Sequence, residues 1–291
     1  MSKTSIYRTP EGEAELHRLY DRALVKLDLP AQCQSVATRF GQTNVLITGP
    51  EQAQPLIVLH GAYDCAPSNL FYYRSLAREF RIYALDTIGQ SVRSAQTQLS
   101  LRDNSYGMWV TDVMDALRLD QAAIAGSSFG AGISLRAMVH APQRFTQAVL
   151  VVPSGIANGT LLKMAREVFA PWILYFLSPT RRHLLNAAAP IMTELDENFL
   201  DYIDAFLRNV RWKPEGPRLT TARELHGFTA PVLLFVTDDD CFFPGDRVAA
   251  KAQEIFPNLV AVEHLHGKHL PSSEAWQFID RRVNTFLKSG C

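Results

Sequence analysis

The pentapeptide Gly126-Ser127-Ser128-Phe129-Gly130 sets a serine midway between two glycines. A serine hydroxyl is a weak nucleophile near neutral pH and needs a base within hydrogen-bond reach, itself oriented by a carboxylate. Both partner types occur downstream, each with rivals beside it. Three consecutive acids, Asp238, Asp239 and Asp240, precede Cys241-Phe242-Phe243-Pro244, and three histidines, His264, His266 and His269, fall within HLHGKHLP. Together they are the material for acyl transfer through a serine, in the chain order Ser, Asp, His. Each also has a plainer reading. The pentapeptide could be a Gly/Ser turn, the acids a solvated turn capping the next helix, and the histidines structural or solvated rings on the last strand.

The position of the pentapeptide separates its two serines. It directly follows the apolar run QAAIAGS, 121 to 127, and precedes an Ala/Leu-rich helical stretch, Phe129 to His140. A strand-to-helix turn this tight strains its central residue and leaves room only for small residues two before and two after it. That selects Ser128 and leaves Ser127 as filler. Five further short apolar runs, 55–61, 81–86, 147–155, 231–239 and 259–267, alternate with helical stretches at 68–79, 106–119, 244–256 and 272–288. Apolar strands without polar alternation imply a parallel sheet buried on both faces, hence an α/β, doubly wound fold. In such sheets the ligand crevice lies beyond the carboxyl ends of the strands, where these motifs fall.

Two features frame this core. Glu13 to Lys26 carries apolar residues at helical spacing, within an N-terminal helix of about 11–27 ended by Pro30, and a hairpin around Gly41 follows it. Between 156 and 224 no convincing strand occurs, only helical stretches at 160–177, 181–188 and 196–208. Connections in α/β units are normally short, so this segment reads as an inserted helical cap, with the core formed by 1–155 and 225–291.

Composition excludes several classes. Twenty-nine basic and 29 acidic residues balance, leaving no electrostatic footprint for nucleic acid or an anionic membrane and favouring a neutral or amphiphilic small molecule as partner. The N-terminus lacks the apolar core of a secretory signal, so a cytoplasmic location is the default expectation. The apolar stretch at 168–177 contains a proline and is far shorter than the roughly 20 residues needed to span a bilayer. Cysteines 33, 65, 241 and 291 have no metal-ligand spacing and read as free thiols, with a redox link between Cys65 and Cys241 only a weak possibility. No metal site is indicated, and a monomer or homodimer is expected.

With LHGAYD after one strand, ALDTIGQSVRS after the next, and the serine, acidic and histidine motifs in this order, the chain from about Thr38 onward resembles the α/β-hydrolase superfamily. The resemblance is to its cap-bearing, esterase-like serine hydrolases. It implies Ser128 as nucleophile and His269 as base, although Lys268 replaces the small residue usual beside that histidine. The family places the acid about four positions before the proline opening the next helix, which points to Asp240, with Asp239 and then Asp238 as alternatives. Ala62 and Phe129 would supply the backbone N–H groups of an oxyanion hole. His60 and Asp86 would be structural, the latter in a D-x-x-G turn where Val92 replaces a later glycine.

The resemblance further implies a cofactor-independent reaction on a carboxylic ester through an acyl-enzyme. Specificity would come from an apolar acyl or alkyl pocket made with the cap, for which Tyr63, Trp172 and Phe176 are the candidate residues. Relatives that carry Asp in place of Ser128, the dehalogenases and epoxide hydrolases, fit less well. The remaining alternatives are C–C bond hydrolysis, lactonase, perhydrolase or lyase chemistry on the same residues, or a non-catalytic small-molecule binding protein of this fold.

Overall fold

Alternate residues of the central strands belong to opposite sides of one sheet. In β3 (Pro55–Leu59), Ile57 and Leu59 enter one apolar cluster while Leu56 and Val58 enter another. In β5 (Ala122–Ser127), Ala122 and Ile124 divide from Ala123 and Ala125 in the same way. Burial on both faces therefore explains the unbroken apolar runs. In this computed structural model, which describes residues 5–211 and 216–289, the other strands are β1 (Ala31–Thr38), β2 (Gly41–Thr48), β4 (Arg81–Leu85), β6 (Phe145–Val151), β7 (Val232–Thr237) and β8 (Leu259–Leu265). They form an eight-stranded sheet of order β1-β2-β4-β3-β5-β6-β7-β8. Strands β1, β2 and β4 pair antiparallel, and all other neighbours pair parallel.

Helices cover both faces. Helices α3 (Ser105–Ala116), α4 (Phe129–His140) and α10 (Gly245–Ile255) lie on one side; α2 (Ala66–Tyr72) and α11 (Ser273–Lys288) lie on the other. At the two edges, β1 is largely exposed and β8 mostly half-buried, so the expectation of burial on both faces holds only for the interior strands. The hairpin turns at Arg39-Phe40, before Gly41, and Arg39 there donates to Asp112 of α3 through its backbone N–H and its guanidinium.

The segment between β6 and β7 carries a helical layer over the strand ends. Its first helix runs from Leu161 to Leu177 as α5 (Leu161–Met164), a π turn (Ala165–Phe169) and α6 (Ala170–Leu177). Pro171 has no N–H for the preceding turn, and the helix widens immediately before it. Then come α7 (Arg181–Ala188) and α8 (Glu197–Asn209), and a short α9 (Ala222–Leu225) leads back towards the sheet.

The N-terminal helix α1 (Pro10–Leu27) has Thr9 as its cap and stops at Asp28 in the left-handed region, two residues before Pro30. It packs on both α2 and α8. The segment before α1 also pairs with the end of α8, through Arg8 N–H to Asn209 O at 2.7 Å and Arg211 N–H to Ile6 O at 2.8 Å. The N-terminus therefore joins the helical layer to the core instead of lying on the core alone. Among the described residues, no helix is long and apolar enough to cross a membrane.

Candidate active site

Ser128 stands between β5 and α4 at φ 51°, ψ −113°. A non-glycine residue in that region costs roughly 1–3 kcal/mol, so the surroundings must hold it there. They do so through its backbone: Ser128 N–H donates to Val151 O at 2.8 Å, while Ser128 O accepts from Ser154 N at 3.2 Å and Ser154 Oγ at 3.1 Å. The flanking glycines permit the turn sterically. A Cβ on Gly126 would sit 2.6 Å from Ala131 N, and one on Gly130 would collide with the carbonyl oxygens of Leu59 and His60. Two other non-glycine residues in this backbone region, Tyr63 and Val152, follow β3 and β6 and line the same cavity.

The acids and histidines sort themselves by burial. Asp240 is 1% exposed and its Oδ2 lies 2.7 Å from His269 Nδ1. Its Oδ1 accepts from Phe242 N at 2.7 Å and Phe243 N at 2.9 Å, so both carboxylate oxygens are fixed. With Nδ1 donating to Asp240, His269 presents Nε2 as an acceptor 2.9 Å from Ser128 Oγ. The rings of Phe242 and Phe243 stand edge-on to the imidazole at 5.0 and 5.4 Å. Asp239, by contrast, faces solvent and Lys163 Nζ at 3.3 Å. Asp238 turns to His266, and His264 is exposed on the edge strand.

Phe129 and Ala62, the residues expected to offer backbone N–H groups, both line the cavity with this serine. Phe129 is the first residue of α4, where the opening N–H groups have no acceptor within the helix and the dipole favours negative charge. Ala62 opens the turn that follows Gly61 after β3, and both residues line the cavity with Ser128 and His269. Buried His60 braces that turn: its Nδ1 meets Gly61 O at 2.7 Å and its Nε2 accepts from Thr87 N at 3.0 Å. Both ring nitrogens are occupied by backbone, which leaves no lone pair to act as a base. Buried Asp86 ties the adjoining elements together, accepting from Asn44 Nδ2 at 2.8 Å and Ala66 N at 3.1 Å.

The cavity above Ser128 holds about 700 Å³. Tyr63 lines it, and its ring packs edge-to-face on Trp172 at 5.6 Å and Phe206 at 4.6 Å. The other two candidate pocket residues are not brought to it. Trp172 is buried behind Tyr63 with Nε1 donating to Ala187 O at 3.2 Å, and Phe176 is 48% exposed, because a helix turns successive residues to different sides. Leu161, Met164 and Phe169 of the same helical segment do line the cavity.

Sequence reasoning also missed Leu19 and Ala23 of α1, which wall the cavity from the N-terminal side. Helical periodicity revealed an amphipathic helix but could not say what its apolar face meets. Asp64 lines the cavity too, and burial pushes its carboxyl up to about 6 although Cys65 N donates to it at 2.8 Å. Cys65 and Cys241 are buried free thiols and Cys33 an exposed one, while Cys291 lies outside the described residues.

Comparison with known proteins agrees with this architecture. The family model described as alpha/beta hydrolase fold matches residues 54–188. Carboxylesterase YbfK of Bacillus subtilis (strain 168) is 26% identical over 96% of this chain and 96% of its own. The crystal structure of carboxylesterase CesB (YbfK) from Bacillus subtilis superposes with a TM-score of 0.81 at 25% identity, covering 97% of this chain and 100% of that one. That of naproxen esterase from Bacillus subtilis gives 0.78 at 21% identity, covering 96% and 99%. Sheet order, the family match over residues 54–188 and the full-length likeness to these structures give this chain the α/β-hydrolase fold, with its similarity running to carboxylesterases.

Proposed function

We propose that the protein hydrolyses carboxylic esters through an acyl-enzyme on Ser128, and that the chain Asp240–His269–Ser128, with contacts of 2.7 and 2.9 Å, is the observation that carries this reading. His269 Nε2 takes the proton from Ser128 Oγ as a bond forms from Oγ to the ester carbonyl carbon. The carbonyl oxygen becomes an oxyanion, which the Phe129 and Ala62 N–H groups stabilise. Losing one such donor typically costs about 3–4 kcal/mol of barrier. Collapse of the intermediate breaks the bond to the alcohol oxygen, which leaves with the proton held on His269. Water then attacks the acyl carbon, giving up a proton to His269; the bond to Ser128 Oγ breaks, the acid leaves, and His269 returns the proton to Oγ. Asp240 keeps the imidazole in the tautomer that exposes Nε2 and stabilises its cation.

A wall of Leu19, Ala23, Leu161, Met164, Phe169 and Met192 suits an ester with an apolar acyl or alkyl part. The test is labelling by a fluorophosphonate probe with mapping of the labelled residue, alongside hydrolysis of short- and medium-chain p-nitrophenyl esters. Label on Ser128, and loss of both label and turnover in Ser128→Ala, is the expected result. Full turnover in Ser128→Ala would overturn the mechanism. Label without turnover of any ester would move the reading to C–C bond or lyase chemistry on the same serine.

A further inference from the structure

The residues on either side of His269 are bonded to one side chain of the helical layer. Thr193 Oγ1 accepts from Lys268 N at 2.8 Å and donates to Leu270 O at 2.7 Å, so a single hydroxyl spans the histidine's two neighbours. The surrounding backbone extends the clamp. Leu270 N donates to Ile191 O at 2.8 Å, Thr193 N donates to Leu270 O at 3.2 Å, and Met192 and Leu270 form a parallel bridge. Lys268 Nζ reaches Ala189 O at 2.7 Å, and Ser273 N donates to Glu194 Oε2 at 3.0 Å. A Cβ on Gly267, which sits at φ +134°, would meet Thr193 Oγ1 at 2.6 Å, so the loop packs against this hydroxyl as well.

The same segment also walls the cavity, through Ile191, Met192, Glu194 and Leu195. The His269 loop is thus held from two sides. Asp240 fixes the ring, and the stretch Ala189–Glu194 between α7 and α8 fixes the backbone that carries it.

We propose that Thr193 is a positioning residue for the base, and that the helical layer, besides enclosing substrate, sets the distance from His269 to Ser128. The inference rests on the reading of His269 as the base. It also gives Lys268 a purpose: where related loops carry a small residue, this long side chain fastens the loop to the end of α7. Displacement of a reacting group by about 1 Å can cost on the order of 100-fold in rate, so a clamp bracketing the base acts on turnover more than on binding.

The test compares Thr193→Val, which keeps shape but removes both side-chain bonds, with Thr193→Ser, which keeps them. The readouts are kcat and KM for a p-nitrophenyl ester and the rate of fluorophosphonate labelling of Ser128. Thr193→Val should lower kcat and labelling rate by about ten-fold or more with KM changed less than two-fold, and Thr193→Ser should restore both. Wild-type labelling and kcat in Thr193→Val, with His269→Ala inactive, overturn the clamp and leave the base reading intact. Activity in His269→Ala overturns the base reading itself. If Thr193→Val does not yield folded protein, Thr193→Ala carries the same expectation, and a wild-type labelling rate there overturns the proposal.

Discussion

Asp238 Oδ2 lies 2.7 Å from His266 Nδ1, the same separation that Asp240 Oδ2 keeps from His269 Nδ1. Two carboxylate–imidazole pairs thus arise from the same two loops. The first is open to water, with the His266 side chain 97% exposed and Asp238 53%; the second is buried, at 7% and 0%. Water screens the outer contact, which is worth at most about 1 kcal/mol, while the inner one orients a ring in a water-poor site. Removing the outer pair with Asp238→Asn or His266→Ala should change kcat/KM for an ester less than two-fold. Asp240→Asn should lower kcat on the order of 10⁴-fold, because the amide favours the wrong tautomer of His269. Comparable losses from Asp238→Asn and Asp240→Asn would mean that the roles of the two pairs have been misassigned.

Asp64 makes stability depend on pH in an unusual direction. Burial raises its carboxyl from an ordinary 3.8 to about 6, with the charge of Asp196 adding to the shift and His60, the Ser68 hydroxyl and the Cys65 N–H opposing it. The folded protein therefore keeps a proton that the unfolded chain releases between these values. The stability from this site is present below the unfolded value and is lost as pH rises through the folded one. Asp64→Asn, which can still accept from Cys65 N, should melt above the wild type at pH 8, with the gap closing towards pH 4. Thermal melts across that range check it. A gap independent of pH would show that ionisation of Asp64 is not the cause.

A methyl added to either glycine of the elbow would strike backbone. On Gly130 it would meet backbone carbonyls of Leu59, the last residue of β3, and of His60 just after it, which cannot rotate away. Gly130→Ala should therefore destabilise by about 1–3 kcal/mol, and the displaced backbone should also lower turnover in whatever folded protein remains. Gly227→Ala is the matched control, since there the nearest atom is Pro142 Cγ at 3.6 Å and φ is not positive. Urea unfolding of the two variants, with m-values compared, measures the contrast. Equal midpoints would remove the steric account of the elbow.

How much was readable in advance depended on whether chemistry or packing placed the residue. Ser128 could be read because only a strained strand-to-helix turn needs small residues at both 126 and 130. Interior strands could be read because burial on two faces removes polar alternation, whereas β1 and β8, solvated at the edges, obeyed the rule only in part. The choice among Asp238, Asp239 and Asp240 was open on residue type alone. Successive side chains of a turn point in different directions, and only one of the three finds two backbone N–H donors and a buried imidazole. Trp172 and Phe176 are aromatic and fall within the cap segment, but the rotation of a helix about its axis is set by the partner it packs on. Thr193 gave no local signal, because its partners are 75 and 77 residues away in the chain.

Helix α1 shows the same limit from the other side, since it lies 100 residues before the serine whose cavity it walls. Leu19 and Ala23 are one helical turn apart and share a face, so both meet the cavity, and Arg22, which also lines it, pairs with Asp201 at 2.6 Å. Ala23 is only half-buried and small, which leaves room for a bulkier side chain to project into the cavity without overpacking a closed core. Ala23→Phe should therefore leave the melting temperature within a few degrees of the wild type while shortening the space available to substrate. The expected outcome is a fall of about ten-fold in kcat/KM for an octanoate ester relative to an acetate ester, measured in the same variant. The acetate ester acts as internal control: a change in the catalytic residues would lower both, and only a change in cavity shape separates them. An unchanged ratio would mean that α1 covers the cavity without bounding the substrate.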